Sequence, residues 1–148
     1  MAATKTGVSL NWGGFDKALG KAAHKLGDTQ ALMESVGDAL VSGTLKRFQD
    51  EEDPTGKKWP KSKRAAKKDG QTLTDTALLR RSVDYAATSD KVMVGSNLPY
   101  ARIHQKGGKT GKGHKVDMPD RPYLGVSEED MDEVRETVAD FLAGTFKA

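Results

Sequence analysis

Cysteine is absent from this 148-residue chain. Folding therefore uses no disulfide, and a chain of this size buries roughly two-thirds of its unfolded surface, enough for a core without covalent or metal staples. The absence fits a reducing cytoplasm, a weak argument because many exported proteins also lack cysteine. Residues Met1 to Trp12 hold no uninterrupted apolar stretch, and nowhere are there about 18 consecutive apolar residues, so the expectation is a soluble protein without signal peptide or membrane span.

Other absences narrow the chemistry. His24, His104 and His114 sit in different regions with no His-x-x-x-His pair, which argues against a structural zinc site. The expectation for His104 is a packing residue on an amphipathic helix whose ring nitrogens meet backbone groups. No Ser or Cys stands in a recognisable nucleophile motif, so a catalytic triad has no starting point. Gly108-Lys109-Thr110 ends like a phosphate-binding loop, but Ile103 occupies the position where that motif needs its first glycine, and a helix rather than a strand precedes it. The acidic pairs Glu51/Glu52 and Glu128/Glu129 are accounted for by solvation and by the helix dipole. No internal repeat is visible. The expectation is a non-enzyme with no catalytic residue, metal ligand or cofactor.

What is present is a set of periodic segments separated by basic ones. Net charge is only +3 with a pI near 9.0, so the basic character lies in local clusters, and partners have to be sought locally. Phe15, Leu19, Ala22, Leu26, Met33, Val36, Leu40 and Phe48 recur mostly three or four apart, tracing one helical face from Phe15 to Gln49. Gly27-Asp28-Thr29 interrupts that face with cap chemistry; one long helix with a weak point is favoured, and two consecutive helices are also allowed. Ahead of it, Val8, Leu10 and Trp12 alternate like a short strand before the Gly13-Gly14 turn.

Periodicity stops from Asp50 to Gly70, where Asp50-Glu-Glu-Asp53 and Pro54-Thr-Gly56 lead into seven Lys or Arg residues: Lys57, Lys58, Lys61, Lys63, Arg64, Lys67 and Lys68. This reads as a loop or a mobile arm over residues 50–72, with Trp59 beside Pro60 anchoring it to the domain. Thr74 or Asp75 can cap a short helix carrying Ala77, Leu78 and Leu79. Val83, Tyr85 and Ala87 then alternate, Ser89-Asp90 turns the chain, and Val92 to Gly95 completes an antiparallel hairpin.

Pro99 suits the first turn of a helix carrying Tyr100, Ile103 and His104, stopped by Gly107-Gly108. A Gly/Lys-rich flexible loop over residues 106–116 follows, and Pro119 and Pro122 enforce an extended return. Ser127 is an N-cap followed by Glu128, Glu129 and Asp130. A C-terminal helix carrying Met131, Val134, Val138, Phe141 and Leu142 on one face ends near Gly144. The fold class expected is α+β in a single domain over residues 1–148: a small, mainly antiparallel sheet against a long N-terminal helix and a C-terminal helix, with exposed basic loops.

Those basic loops supply the candidate interface residues Lys57, Lys58, Trp59, Lys61, Lys63, Arg64, Lys67, Lys68, Tyr100, Arg102, His104, Gln105, Lys109, Lys112 and Arg121. The run from Lys57 to Lys68 could neutralise several phosphates, and Trp59 could stack on a base. It matches no DNA-binding motif and directly follows acidic residues, so an exposed arm or protein-docking surface is the preferred reading and a nucleic-acid-binding module the alternative.

Four segments taken in order resemble the phage virion morphogenesis family of Mu-like tailed phages, which includes tail completion proteins. They are Asp53-Pro-Thr-Gly-Lys-Lys-Trp-Pro60, Thr72-Leu-Thr-Asp-Thr-Ala-Leu-Leu-Arg-Arg-Ser82, Val92-Met-Val-Gly95 with Tyr100-Ala-Arg-Ile-His-Gln-Lys-Gly107, and Arg121-Pro-Tyr-Leu-Gly125. The likeness runs from Phe48 to Asp130 and rests on motif order. Ala77 departs from it where a glycine is expected, as does Asp120 where a small residue often precedes Arg-Pro, and the N-terminal helical region carries no motif that matches. The resemblance implies a structural component of the neck, present in the virion and in the host cytoplasm during assembly. It implies a homo-oligomeric ring, commonly six-fold, around the DNA passage without sequence-specific DNA binding. The implied neighbours are the tail tube or terminator and the head–tail connector, and a tail terminator ring protein is the alternative within the same junction.

Overall fold

The computed structural model describes residues 29–146, with side chains to residue 143. Among the described residues, five helices and two short antiparallel ribbons follow one another: α1 (Gln30–Asp50), α2 (Lys63–Lys68), α3 (Leu78–Ser82), β1 (Asp84–Ala87), β2 (Val92–Gly95), α4 (Ala101–Lys106), β3 (Gly108–Thr110), β4 (Val116–Met118) and α5 (Glu128–Phe146), with a 3-10 turn at Lys112–His114. The class is α+β, as the sequence implies. The described strands form two separate two-stranded ribbons.

Helix α1 begins at Gln30, directly after Thr29, so the expected single helix does not run through Thr29. Thr29 lies at the cap position but does not cap α1 with its side chain; its buried hydroxyl instead donates to the Ser89 carbonyl at the tip of the β1–β2 hairpin. Gln30 Nε2 reaches the neighbouring Ala87 carbonyl at 3.0 Å. The remaining upstream apolar positions from Phe15 to Leu26, and the strand and turn expected over Val8 to Gly14, lie outside the described residues.

The buried face of α1 carries Leu32, Met33, Val36, Leu40 and Phe48, the helical stripe read from the sequence. It packs on the hairpin on one side and on α5 on the other. Contact with the hairpin depends on Gly37. A Cβ there would sit 2.3 Å from the Tyr85 ring, so only glycine lets the strand approach this closely.

The hairpin pairs Tyr85 with Val94 and Ala87 with Val92, and Thr88 N–H closes its turn on the Lys91 carbonyl at 2.9 Å. Across the core, Tyr123 is fully buried with its ring centroid 5.2 Å from that of Phe48, and its hydroxyl donates to the Ala101 carbonyl at 2.9 Å. Burial raises this phenol well above the ordinary tyrosine range. The return from Pro119 to Ser127 carries no helix or strand, in keeping with its prolines.

Three local expectations are corrected. The segment from Asp50 to Gly70 is not aperiodic throughout, because it contains α2, whose first turn is capped by Ser62 Oγ accepting from Ala65 N–H at 3.1 Å. The Gly/Lys loop is a ribbon, β3 against β4, with Lys109 opposite Asp117. Neither Thr74 nor Asp75 caps α3. The residue before it is Ala77, held at φ 60° and ψ 15°.

Ala77 thus occupies the left-handed region, which costs an L-residue with a Cβ roughly 1–2 kcal/mol. The glycine expected there by resemblance has a physical basis. Ala77→Gly is expected to stabilise the protein by about 1 kcal/mol, part of the relieved strain being offset by extra unfolded-state freedom. An unchanged or lower denaturation midpoint would contradict this.

Candidate assembly surface

Beneath the basic segments lies a set of anchors. After α1, Glu51 adopts a left-handed cap conformation and its carboxylate accepts from Thr72 N–H at 2.6 Å, tying the two ends of the 50–72 excursion together. Asp53 Oδ1 accepts from Thr55 N–H, Thr55 Oγ1 and Lys57 N–H at 2.8, 2.6 and 3.0 Å, so one carboxylate organises the turn. Burial opposes the charged form of Asp53, but these hydrogen bonds together prevail and lower its pKa.

Trp59 is the main anchor. It is 6% exposed, its Nε1–H donates to the Pro122 carbonyl at 2.8 Å, and its ring meets Phe48 edge-on at 5.5 Å. Arg121 crosses in the opposite sense, its Nε–H donating to the Pro60 carbonyl at 2.6 Å. Both belong to the inside of the subunit, so Trp59 is not free to stack on a base. The anchoring role read for Trp59 is what the structure shows.

Gln105 is also a brace. Its Oε1 accepts from Tyr123 N–H and Leu124 N–H, both at 3.0 Å, while its Nε2 donates to the Leu124 carbonyl at 3.0 Å. One amide on α4 therefore satisfies three backbone groups of the Pro-rich return, which has no sheet partner among the described residues.

The cations divide into tied and untied. Lys58 pairs with Glu52 at 3.2 Å, Arg64 with Asp75 at 3.5 Å, and Lys109 lies 4.0 Å from Asp117. Lys57, Lys61, Lys63, Lys67, Lys68, Arg102 and Lys112 are exposed and make no ion pair among the described residues. Tyr100 stays 40% exposed, 6.0 Å from His104 ring to ring.

His104 departs from expectation. Its Nδ1 is buried and meets no hydrogen-bond partner among the described residues, so the backbone contact read for it is absent at that atom. Burial, then the nearby Arg121 charge, lowers its pKa below the ordinary 6.5. Because the unfolded imidazole binds a proton first as pH falls, the stabilising contribution of neutral His104 is complete above pH 6.5 and is lost as pH drops through the lower folded value. Melting temperature should therefore fall with acidification below this point, less so in His104→Gln; parallel pH profiles for the two proteins would contradict it.

The least foreseen group is the pair Arg47 and Asp130. Arg47 sits on the buried face of α1, 5% exposed, and Asp130 is 4% exposed on the first turn of α5. Their contact is 2.6 Å. Arg47 also donates to the Tyr123 and Gly125 carbonyls and to Thr44 Oγ1 at 2.8, 2.9 and 3.1 Å, binding both helices to the Pro-rich return. Asp130 completes a reciprocal cap: Ser127 Oγ accepts from Asp130 N–H and Asp130 Oδ2 from Ser127 N–H, each at 3.0 Å. Gly43 makes the approach possible, since a Cβ there would lie 1.9 Å from Asp130 Oδ1.

These anchors join the segments whose order carries the family likeness: the 53–60 segment to Pro122, α4 to the 121–125 segment, and residue 60 to Arg121. Comparison with known sequences agrees, since residues 10–143 match the phage virion morphogenesis family. The chain belongs to that family. The match extends into the N-terminal region, where no motif was legible. Among its relatives is the Mu-like prophage FluMu G protein 2 of Haemophilus influenzae, 33% identical over 125 residues, covering 84% of this chain and 86% of the relative. Another is protein G of Escherichia phage Mu, named for capsid assembly, 31% identical over 119 residues and covering 74% and 76% of the two chains. No solved structure matches. Family membership gives a phage morphogenesis role, exercised through contacts with other virion proteins, in a family of structural rather than enzymatic proteins.

Proposed function

We propose that this protein is a structural subunit of the head–tail junction of a tailed phage, completing the tail or neck as a ring through which head and tail are joined. One observation carries the reading. The family-like segments are spent on bracing, with Trp59, Gln105, Arg121 and Tyr123 holding the chain to itself, while the neighbouring cations face outward. A rigid body with charged projections suits a part that acts by fitting against neighbours, and heterologous contacts close into a ring when the subunit rotation permits.

The tail tube or terminator and the head–tail connector are the partners this reading assigns, and DNA passes through the ring without being read. The 50–72 excursion and the β3–β4 ribbon are its docking elements, held in place by the anchors described above so that their cations are presented to a neighbour. A nucleic-acid module remains the second reading, favoured only by the untied lysines of α2. Deletion of the gene from an inducible phage decides the main one: filled heads and tails lacking this component are expected to accumulate unjoined, and particles of normal infectivity would overturn it.

A further inference from the structure

Above α3 and α4 lies an open groove of about 250 Å³ whose floor includes Leu73, Leu78, Leu79, Tyr100 and Met118. Leu78 is 53% exposed and Tyr100 40%, so the apolar floor continues onto the surface. His104, with its unpartnered buried Nδ1, is part of the lining. Arg64 lines one side, paired there with Asp75, and the exposed Lys61, Lys63 and Lys67, just before and along α2, bring unpaired positive charge to its edge. This is an apolar groove with a cationic border.

The complementary surface is on the same chain. Along α5, Glu133, Glu136 and Asp140 are exposed, lie three and four residues apart on one stripe, and make no ion pair among the described residues. Exposed Ala139 and Ala143 flank that stripe with small apolar surface. Helix α5 is held to the subunit by α1, through Asp130 and Glu129, and contributes no residue to the groove. The two surfaces are therefore separate patches on one body, the arrangement a head-to-tail contact between identical subunits requires.

We infer that the groove bordered by α2 receives the acidic stripe of α5 from a second copy of this chain, and that this contact propagates the ring. The inference rests on the ring reading above and names its contact chemistry. The carboxylates meet the untied Lys61, Lys63 and Lys67, and the C-terminal half of the helix covers Leu78 and Tyr100. Charge complementarity sets direction and register, and the covered apolar floor adds affinity.

The test uses two full-length variants. One reverses the stripe (Glu133→Lys, Glu136→Lys, Asp140→Lys) and the other reverses the border (Lys61→Glu, Lys63→Glu, Lys67→Glu). All six positions are exposed, so circular dichroism and melting should match wild type. In sedimentation velocity at low salt, wild type is expected to form oligomers that dissociate as salt rises. Each variant alone should be monomeric, and the mixture should regain oligomers because every contact then joins opposite charges. Leu78→Asp, which places a carboxylate in the groove, should also abolish self-association. A wild type that stays monomeric, a variant that oligomerises alone, or a mixture that does not recover would each overturn the inference. So would duplex DNA binding that is lost in the border variant while self-association persists, which would make the basic border a nucleic-acid surface. Complementation of the gene deletion separates the two proposals. If each variant alone restores infectivity that the deletion abolishes, the junction role stands and the contact falls; if the deletion is harmless, the junction role itself falls.

Discussion

Asp130→Ala is expected to cost about 3–5 kcal/mol, the range for leaving one partner of a buried ion pair without its counter-charge. Against a typical total of roughly 5–15 kcal/mol, that loss brings the protein near unfolding at physiological temperature. The penalty comes mainly from what remains. Arg47 would keep its charge in a site where it is 5% exposed, with two carbonyls and a threonine hydroxyl but no anion. The cap of α5 would lose its reciprocal half at the same time, because Asp130 Oδ2 also accepts from Ser127 N–H.

A second variant separates the pair from the cap. Ser127→Ala removes the hydroxyl cap while leaving Arg47 paired, and should cost only about 1 kcal/mol. Replacing both members of the pair by apolar residues of similar volume, Arg47→Met with Asp130→Leu, should recover much of the loss because no unpaired charge stays behind. Chemical denaturation of the three variants checks the ranking. If Asp130→Ala came within about 1 kcal/mol of wild type, the range of an ordinary substitution, the pair would not be the fastening between the two helices.

The second large effect is expected at Trp59. Trp59→Ala should cost about 3–5 kcal/mol as a buried indole is deleted, and it should act locally as well as globally. The indole carries the bond to Pro122 and the edge contact with Phe48, so its removal frees the stretch that leads into α2. Hydrogen exchange should accelerate over residues 57–68 before the β1–β2 hairpin is affected, and trypsin should cut first among the lysines there. Trp59→Phe keeps most of the apolar contact and leaves the Pro122 carbonyl without its donor, so an intermediate loss is expected. Uniform acceleration over the whole chain would mean that Trp59 supports the core at large and does not specifically anchor the basic segment.

Both positions bear on assembly through rigidity. If the junction contact requires the α2 lysines at a fixed place, Trp59→Ala should weaken self-association more than its exposed neighbours' individual removal would. The pairing of Arg47 with Asp130 fixes the direction in which α5 leaves the body, and with it the presentation of the acidic stripe.

Local codes made much of the chain readable. The apolar stripe of α1, the hairpin around Ser89-Asp90, the glycine stop at Gly107 and the Ser127 start of α5 each depend on neighbours within a turn or two, so side-chain pattern and cap chemistry suffice. Motif order carries the family likeness, and Ala77 departs from it at a position with a left-handed backbone, where glycine is the relaxed residue. Short elements were harder. Helix α2 is a six-residue segment of lysines, arginine and alanines, and charge concealed its single buried contact, Ala65. The β3–β4 ribbon has three residues a side and a mainly exposed surface, leaving little alternation to detect.

Composition, the helical face, the hairpin, the final helix and the kinship of this protein were determined by sequence alone, because each is written in adjacent residues or in the order of short motifs. Which polar residues turn inward was decided only by the tertiary structure. Arg47 interrupts an apolar stripe and Asp130 reads as one more acid at a helix start; their meaning appears when α1 and α5 cross, 83 residues apart, over a glycine small enough to admit the carboxylate. A buried charge is tolerated only beside its partner, and partnership across the fold is a property of packing that no local pattern encodes.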